Sequence, residues 1–354
     1  MFKEDIRIAI NLCISKGIPF VAYQLPHENS ISFFSNPNPN PNPNKTINYT
    51  KFSIGFFADK LKNPINIYNE LNAKETILYC SRNNYNYTCN IIPYHTSTNY
   101  KSYESNLNNL IDKLKHTNGK VVISKVICQK HNISDWARIA YEYFSIYNIC
   151  FRYIYFTPET GCWIGASPEI IIEKDYSTNI LQSMSLAGTR RKDKFQLSWD
   201  NKNIEEHNYV TNHISETVKK LGYNIIIHNY ENLPFGNIEH LCNRIEIQET
   251  KKSSLSPLEL VIALTPTPAL AGYPTNDALN LIKQIEAHPR YCYGGYLTID
   301  NGDTFRSFVN LRCAHFDKSS YCIYSGGGIT KDSIAINEWD ETEHKIHKLK
   351  ELLS

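Results

Sequence analysis

The spacing of apolar residues changes repeatedly along the chain, and each change predicts a new element. Ile6 to Cys13 reads as a helix, Pro19–Leu25 as a strand, and Phe52–Phe57 as another strand. Leu107, Leu110, Ile111 and Leu114 share one face of a helix over Tyr100–Lys115. β-Branched residues predict a strand at Lys120–Val126. A helix at Asp135–Ser145 follows, then aromatic strands at Ile149–Phe156 and Cys162–Ile164. Strands at Glu169–Lys174 and Ile180–Ala187 precede a long helix, Trp199–Leu221, with Ile204, Val210, Ile214 and Val218 at helical spacing. Next come a strand at Tyr223–Asn229, a helical stretch at Glu239–Leu241 leading into a strand, and helices at Pro257–Leu264 and Asp277–Ile285. Strands at Tyr291–Ile299, Thr304–Cys313 and Ser320–Tyr324 end at a closing helix, Ile334–Leu353. This order predicts an α+β protein built on antiparallel sheet, not a doubly wound βαβ repeat.

Two connections interrupt the pattern. Asn36–Asn44 alternates Asn with Pro; its prolines lack backbone donors, so it is expected to be an exposed loop. Residues 81–100 are rich in Tyr, Asn and other polar residues and read as a second long connection.

Composition narrows the picture. The chain has 354 residues, 42% of them hydrophobic and 20% charged, which is enough apolar material for a large core. With 37 basic and 35 acidic residues the net charge is +2, and no basic block marks a nucleic-acid partner. The N-terminal MFKEDIRIAINLC has no leader pattern and no run of 18 apolar residues occurs, so a cytoplasmic protein without membrane spans is expected. The 10 cysteines show no CxxC pair or zinc spacing and read as reduced core thiols.

Four acidic positions carry candidate chemistry. Glu205 and Glu206 lie in one predicted helix; Glu338 and Glu341, three apart and so on one face, lie in another. Carboxylates converging from two helices repel unless a cation joins them, and oxygen ligands select a hard ion such as Mg2+. Spacing alone favours solvated helix faces paired to Lys or His.

A series of short motifs weighs against the surface reading. They are Gly165–Glu169 (GASPE), Leu186–Arg190 (LAGTR), Glu206-His207, Pro266–Ala269 (PTPA), Tyr293–Gly295 (YGG), Leu311–Ala314 (LRCA), Ser325–Ile329 (SGGGI) and Glu338–Glu341 (EWDE). In this order, over about residues 115–350, they resemble the chorismate-utilising enzymes: isochorismate synthase, salicylate synthase, and the component I chains of anthranilate and aminodeoxychorismate synthases. The resemblance implies an interwoven α/β/β/α layered domain of the anthranilate synthase component I type. Motifs spread from residue 120 to 345 suit one catalytic domain over residues 1–354.

The resemblance also implies roles. Glu206 and Glu341 match Mg2+ ligands, and Glu338 an auxiliary one. Arg312 and Lys345 match groups that hold the carboxylates of chorismate, Arg312 with a planar fork. Gly326 and Gly328 would allow close backbone approach to the substrate, and Thr189, His240 and Tyr293 match wall positions. Glu169 matches the general acid that protonates the departing C4 hydroxyl, which requires a raised pKa.

Family members that add water at C2 place a lysine where this chain has Lys120, whereas ammonia users generally have glutamine. The resemblance is therefore strongest to isochorismate synthase, which needs no glutamine amidotransferase partner and whose product feeds menaquinone or siderophore synthesis. Aminodeoxychorismate or anthranilate synthase component I and salicylate synthase are the alternatives. One departure is Thr265, which replaces the His of the water users' LHPTPA segment and is expected at the substrate.

Overall fold

The apolar blocks fold into two antiparallel sheets with helices on their outer faces. The computed structural model describes residues 2–38, 50–59, 62–83, 96–116, 119–191, 197–235 and 238–353. In chain order the first elements are α1 (Glu4–Lys16), β1 (Phe20–Gln24), β2 (Ser32–Ser35), β3 (Lys51–Ile54), β4 (Ile65–Tyr68), α2 (Ala73–Arg82), α3 (Tyr100–Leu114), β5 (Lys120–Lys130) and α4 (Trp136–Ile146). The middle carries β6 (Phe151–Thr157), β7 (Gly161–Ser167), β8 (Ile170–Asp175), β9 (Ile180–Arg191), α5 (Asn201–Lys220), β10 (Asn224–Ile227), β11 (Glu231–Phe235) and β12 (Ile238–Gln248). The chain closes with α6 (Pro257–Leu264), β13 (Gly272–Tyr273), α7 (Thr275–Ile285), β14 (Tyr296–Asp300), β15 (Thr304–Val309), β16 (Cys313–Phe316), β17 (Ser320–Ile329) and α8 (Ala335–Leu353).

One sheet runs β13-β5-β17-β16-β7-β6-β1-β2 and the other β10-β12-β9-β8-β15-β14-β3-β4, with β11 on β12. Their facing sides share a core of Val21, Phe52, Tyr155, Trp163, Leu297 and Phe308. The outer face of the first sheet packs on α1, α2, α4 and α8 through Ile10, Ala140, Ile154 and Ile346. The outer face of the second packs on α5 and α6 through Ile172, Val210, Ile214 and Leu260. A fourth core joins α3 and α7 to the starts of β5 and α8 through Leu107, Val121, Ile282 and Ala335. These are the α/β/β/α layers expected. Among the described residues no helix is long and apolar enough to cross a membrane.

Several local expectations are corrected. Helix α2 takes in residues 81 and 82, expected in a connection; its signal was the capping box of Asn72 and Glu75. Residues 84–95 lie outside the described residues, as do 39–44 of the Asn-Pro run. Asn36, the first of that run, is buried and donates to Glu70 Oε2. Glu239–Leu241 is strand, not helix: β12 pairs along β9, which masks its short helical spacing. The strand expected from Tyr291 begins at Tyr296, because Tyr291 and Gly294 adopt φ of 49° and 74° and turn the chain first. The single strand expected over Thr304–Cys313 is two. β15 belongs to one sheet and β16 to the other, and Arg312 makes the switch at a φ of 45°. Finally, the thiols are not all free. Cys128 and Cys322 face each other across β5 and β17 and form a disulfide, a pairing invisible until the strands are in register.

Candidate active site

The site forms where both sheets end beside α5 and α8. Lys120, Glu169, Thr189, Glu206, His240, Tyr293, Arg312, Gly326, Gly328 and Lys345 line one cavity there. Lys120 opens β5, is 1% exposed, and holds its Nζ 2.7 Å from Glu206 Oε1. That ammonium makes no well-aligned hydrogen bond. Glu169, just before β8, is 4% exposed. Burial pushes its carboxyl up to about 8, with the charge of Lys120 pulling the other way. It therefore holds a proton at neutral pH.

A β-bulge shapes the opposite wall. His240 pairs with Thr189 and Leu241 with Ala187, leaving Gly188 unpaired at φ 76°. The bulge brings Thr189 and His240 onto the cavity. It also docks α5, whose Asn203 Oδ1 accepts from the Thr189 N–H at 2.9 Å. His240 Nδ1 lies 3.1 Å from the Gly188 carbonyl, an acceptor only, so Nδ1 carries the hydrogen. Its Nε2 then faces the Arg312 guanidinium at 3.5 Å. Burial, with the charges of Arg312 and Lys345, lowers its pKa to about 3, so the ring is neutral.

Tyr293 stacks on Tyr324 with ring centroids 5.4 Å apart, giving the cavity an aromatic floor. The glycines of β17 make room for side chains. A Cβ on Gly326 would come within 2.9 Å of Tyr293 Oη, and one on Gly328 within 2.6 Å of Lys120 Cε and into Glu206 Oε1. β17 also runs past its pairing with β16, which stops at Ile323, so one edge of its last residues opens toward the cavity. Arg312 is held by the Tyr143 hydroxyl, which donates to its carbonyl.

Three expected site residues lie off the cavity lining. Thr265 ends α6 and donates its hydroxyl to the Val261 carbonyl at 2.8 Å; it lies beside Phe56, Lys62 and Tyr296. The expectation that it faces the substrate is corrected: the hydroxyl closes a helix turn instead. Glu338 and Glu341 stand behind the lining on α8. Glu341 Oε1 is 2.7 Å from Lys345 Nζ, which also donates to the Gly326 carbonyl at 3.0 Å. Glu338 is 3% exposed and accepts from Lys202 Nζ at 2.6 Å.

Lys202 was not singled out in the sequence, although it stands four residues before Glu206, on the same helix face. Burial opposes its charge, but Glu338, Glu206 and Glu341 together raise its pKa. Glu206 is held low, against burial, by Lys120, Lys202 and Lys345. Burial raises Glu338, with Lys202 opposing and the charge of Glu341 adding to the rise. A buried network also went unread. His207 Nε2 meets Asn243 Oδ1, and Asn243 donates to the His228 carbonyl at 2.7 Å, anchoring α5 to β12 beside Glu206.

The donors fit a hard divalent cation in kind, being carboxylate oxygens that share the field of one ammonium group. As they stand, however, no three His, Cys, Asp or Glu side chains among the described residues are gathered closely enough to hold an ion. Each carboxylate is drawn to its own lysine: Glu206 to Lys120, Glu338 to Lys202, and Glu341 to Lys345.

The chain resembles known proteins in sequence and in fold. Over 222 residues, 58% of the chain and 50% of the relative, the chain is 29% identical to isochorismate synthase MenF of Pasteurella multocida. Over 205 residues, 55% of the chain and 47% of the relative, it is 26% identical to isochorismate synthase MenF of Haemophilus influenzae. The chain spans about half the length of the curated relatives it matches. The structure of MenF, the menaquinone-specific isochorismate synthase of Escherichia coli, superposes with a TM-score of 0.78 at 16% identity, over 100% of this chain and 92% of that one. Anthranilate synthase component I of Streptococcus pneumoniae superposes at 0.66 with 14% identity, over 95% of this chain and 92% of that one, so the fold is common to both chemistries. Residues 44–354, most of its length, match the family described as chorismate binding enzyme, and the chain belongs to that family.

Proposed function

We propose that the protein is an isochorismate synthase, converting chorismate to isochorismate in a Mg2+-dependent isomerisation. The observation that carries this reading is a buried lysine and a buried, proton-holding carboxyl in one cavity: Lys120 and Glu169. In this assignment Lys120 takes a proton from water as its oxygen bonds to C2 of the ring. Both ring double bonds shift, C1=C2 to C1=C6 and C5=C6 to C4=C5, the C4–O bond breaks, and Glu169 gives its proton to the departing hydroxyl. One water enters and one leaves, so the net change is isomerisation.

Arg312 and Lys345 are assigned to the carboxylates of chorismate, with neutral His240 keeping the Arg312 guanidinium aimed at the cavity. Glu206, Glu341 and Glu338 would hold Mg2+, which supplies a fixed positive charge for the ring carboxylate. Because water is the nucleophile, the reading requires neither ammonia nor an amidotransferase partner. A cytoplasmic setting with a soluble metabolite is part of the same proposal.

Product analysis tests it. Purified protein incubated with chorismate and Mg2+, without ammonia, is expected to yield isochorismate alone. Salicylate with pyruvate would reassign it as a salicylate synthase, and turnover that waits for ammonia would reject Lys120 as activator of water.

A further inference from the structure

The six charges around the carboxylate cluster are already balanced. Glu206, Glu338 and Glu341 pair one to one with Lys120, Lys202 and Lys345. Two of these lysines line the cavity, where an anionic substrate can engage them. Lys202 does not line it. Its side chain is 25% exposed, reaches from α5 to α8, and feels all three carboxylates at once.

We propose that Lys202 is the protein's own cation in this cluster and competes with the divalent ion for Glu338 and Glu206. The inference rests on the assignment of these carboxylates to Mg2+. Lys202 and Glu206 are four apart on α5, and Glu338 and Glu341 three apart on α8, so each pair shares a helix face, and Lys202 carries its ammonium from the one to Glu338 on the other. An ion entering this cluster must displace or repel that ammonium. With each carboxylate already paired to a lysine, the cluster offers a free divalent cation little net attraction. A dianionic substrate arriving with the ion restores the balance. Lys202 thereby keeps the substrate-free protein a weak metal binder and couples metal uptake to substrate.

The test is calorimetric titration of Mg2+, and of Mn2+ as a reporter, into the full chain without chorismate. Lys202→Met and Lys202→Gln are each expected to bind about ten-fold more tightly than the parent, whereas Lys202→Arg keeps the charge and the weak binding. A gain in affinity is not an outcome that loss of a merely structural contact produces. Affinity unchanged or weakened in the Met and Gln variants overturns the proposal, as does an equal gain in Lys202→Arg. Melting in EDTA adds a second measurement. Without the ammonium the metal-free variants should melt lower than the parent and regain more on addition of Mg2+, and equal shifts count against the idea. Failure of the underlying reading looks different: a parent protein that converts chorismate at full rate in EDTA rejects the metal assignment itself, whatever the variants bind.

Discussion

A carboxyl group that must donate a proton near neutral pH needs an apolar seat more than it needs a partner. Glu169 has that seat, and burial holds its pKa near 8 even with Lys120 close by. Turnover by the parent is therefore expected to fall as pH rises through about 8, as the acid loses its proton. Stability follows the same sign. Between the ordinary carboxyl range and about 8 the unfolded chain releases this proton and the folded one keeps it, so folding weakens as pH rises across that window. Glu169→Gln should flatten both profiles and slow turnover by about 10²–10⁴-fold. A parent pH–rate profile without an alkaline limb near 8, or a variant with full activity, would remove Glu169 from the acid role. Lys120→Ala should abolish water addition with the fold intact by circular dichroism. His240 should contribute no limb of its own, because it stays neutral above about 3.

At the scale of elements, the site depends on how closely strands and helices approach one another. Gly328 lets α5 bring Glu206 against β17, where the β-carbon of any other residue would meet Glu206 Oε1 and Lys120 Cε. Gly328→Ala should displace that ion pair, cost about 1–3 kcal/mol in denaturant unfolding and lower kcat/KM more than stability. Unchanged kinetics would show that the gap is unused. The bulge at Gly188 is a second such device: its backbone is left-handed and a Cβ would come within 3.0 Å of the Asn203 carbonyl. These strand features were partly legible. LAGT and GGG stood out as motifs, but their steric purpose needs the helix that packs on them. Helices α3, α5 and α8 were readable because one apolar face repeats at 3.6 residues. β15 and β16 look continuous in sequence because the break falls at Arg312, a residue that gives no turn signal; its left-handed φ is imposed by the crossing between sheets.

For the whole molecule, both sheets must be present for either to work. Lys120, Gly326 and Gly328 come from the first sheet and Thr189 and His240 from the second, with α5 and α8 adding Glu206 and Lys345. A cut anywhere between residues 120 and 345 divides the cavity. The Cys128–Cys322 disulfide ties together β5 and β17, the two strands that carry Lys120 and the glycines, across 194 residues of sequence. Thiol titration of denatured, unreduced protein should find two fewer thiols than after reduction. Equal counts would mean that the pair is free in solution.

Local pattern alone determined most of the helices and strands and the ordered motifs from GASPE to EWDE, because periodicity and short motifs are properties of neighbouring residues. From these the family, the layered fold and most of the cavity wall followed. Tertiary structure decided which charge meets which. Lys202 reaches Glu338 across 136 residues, Cys128 finds Cys322 only once β5 and β17 are in register, and Thr265 turns into its own helix end instead of toward the cavity. Such pairings depend on distances in space, which sequence spacing encodes only within a single helix turn or strand.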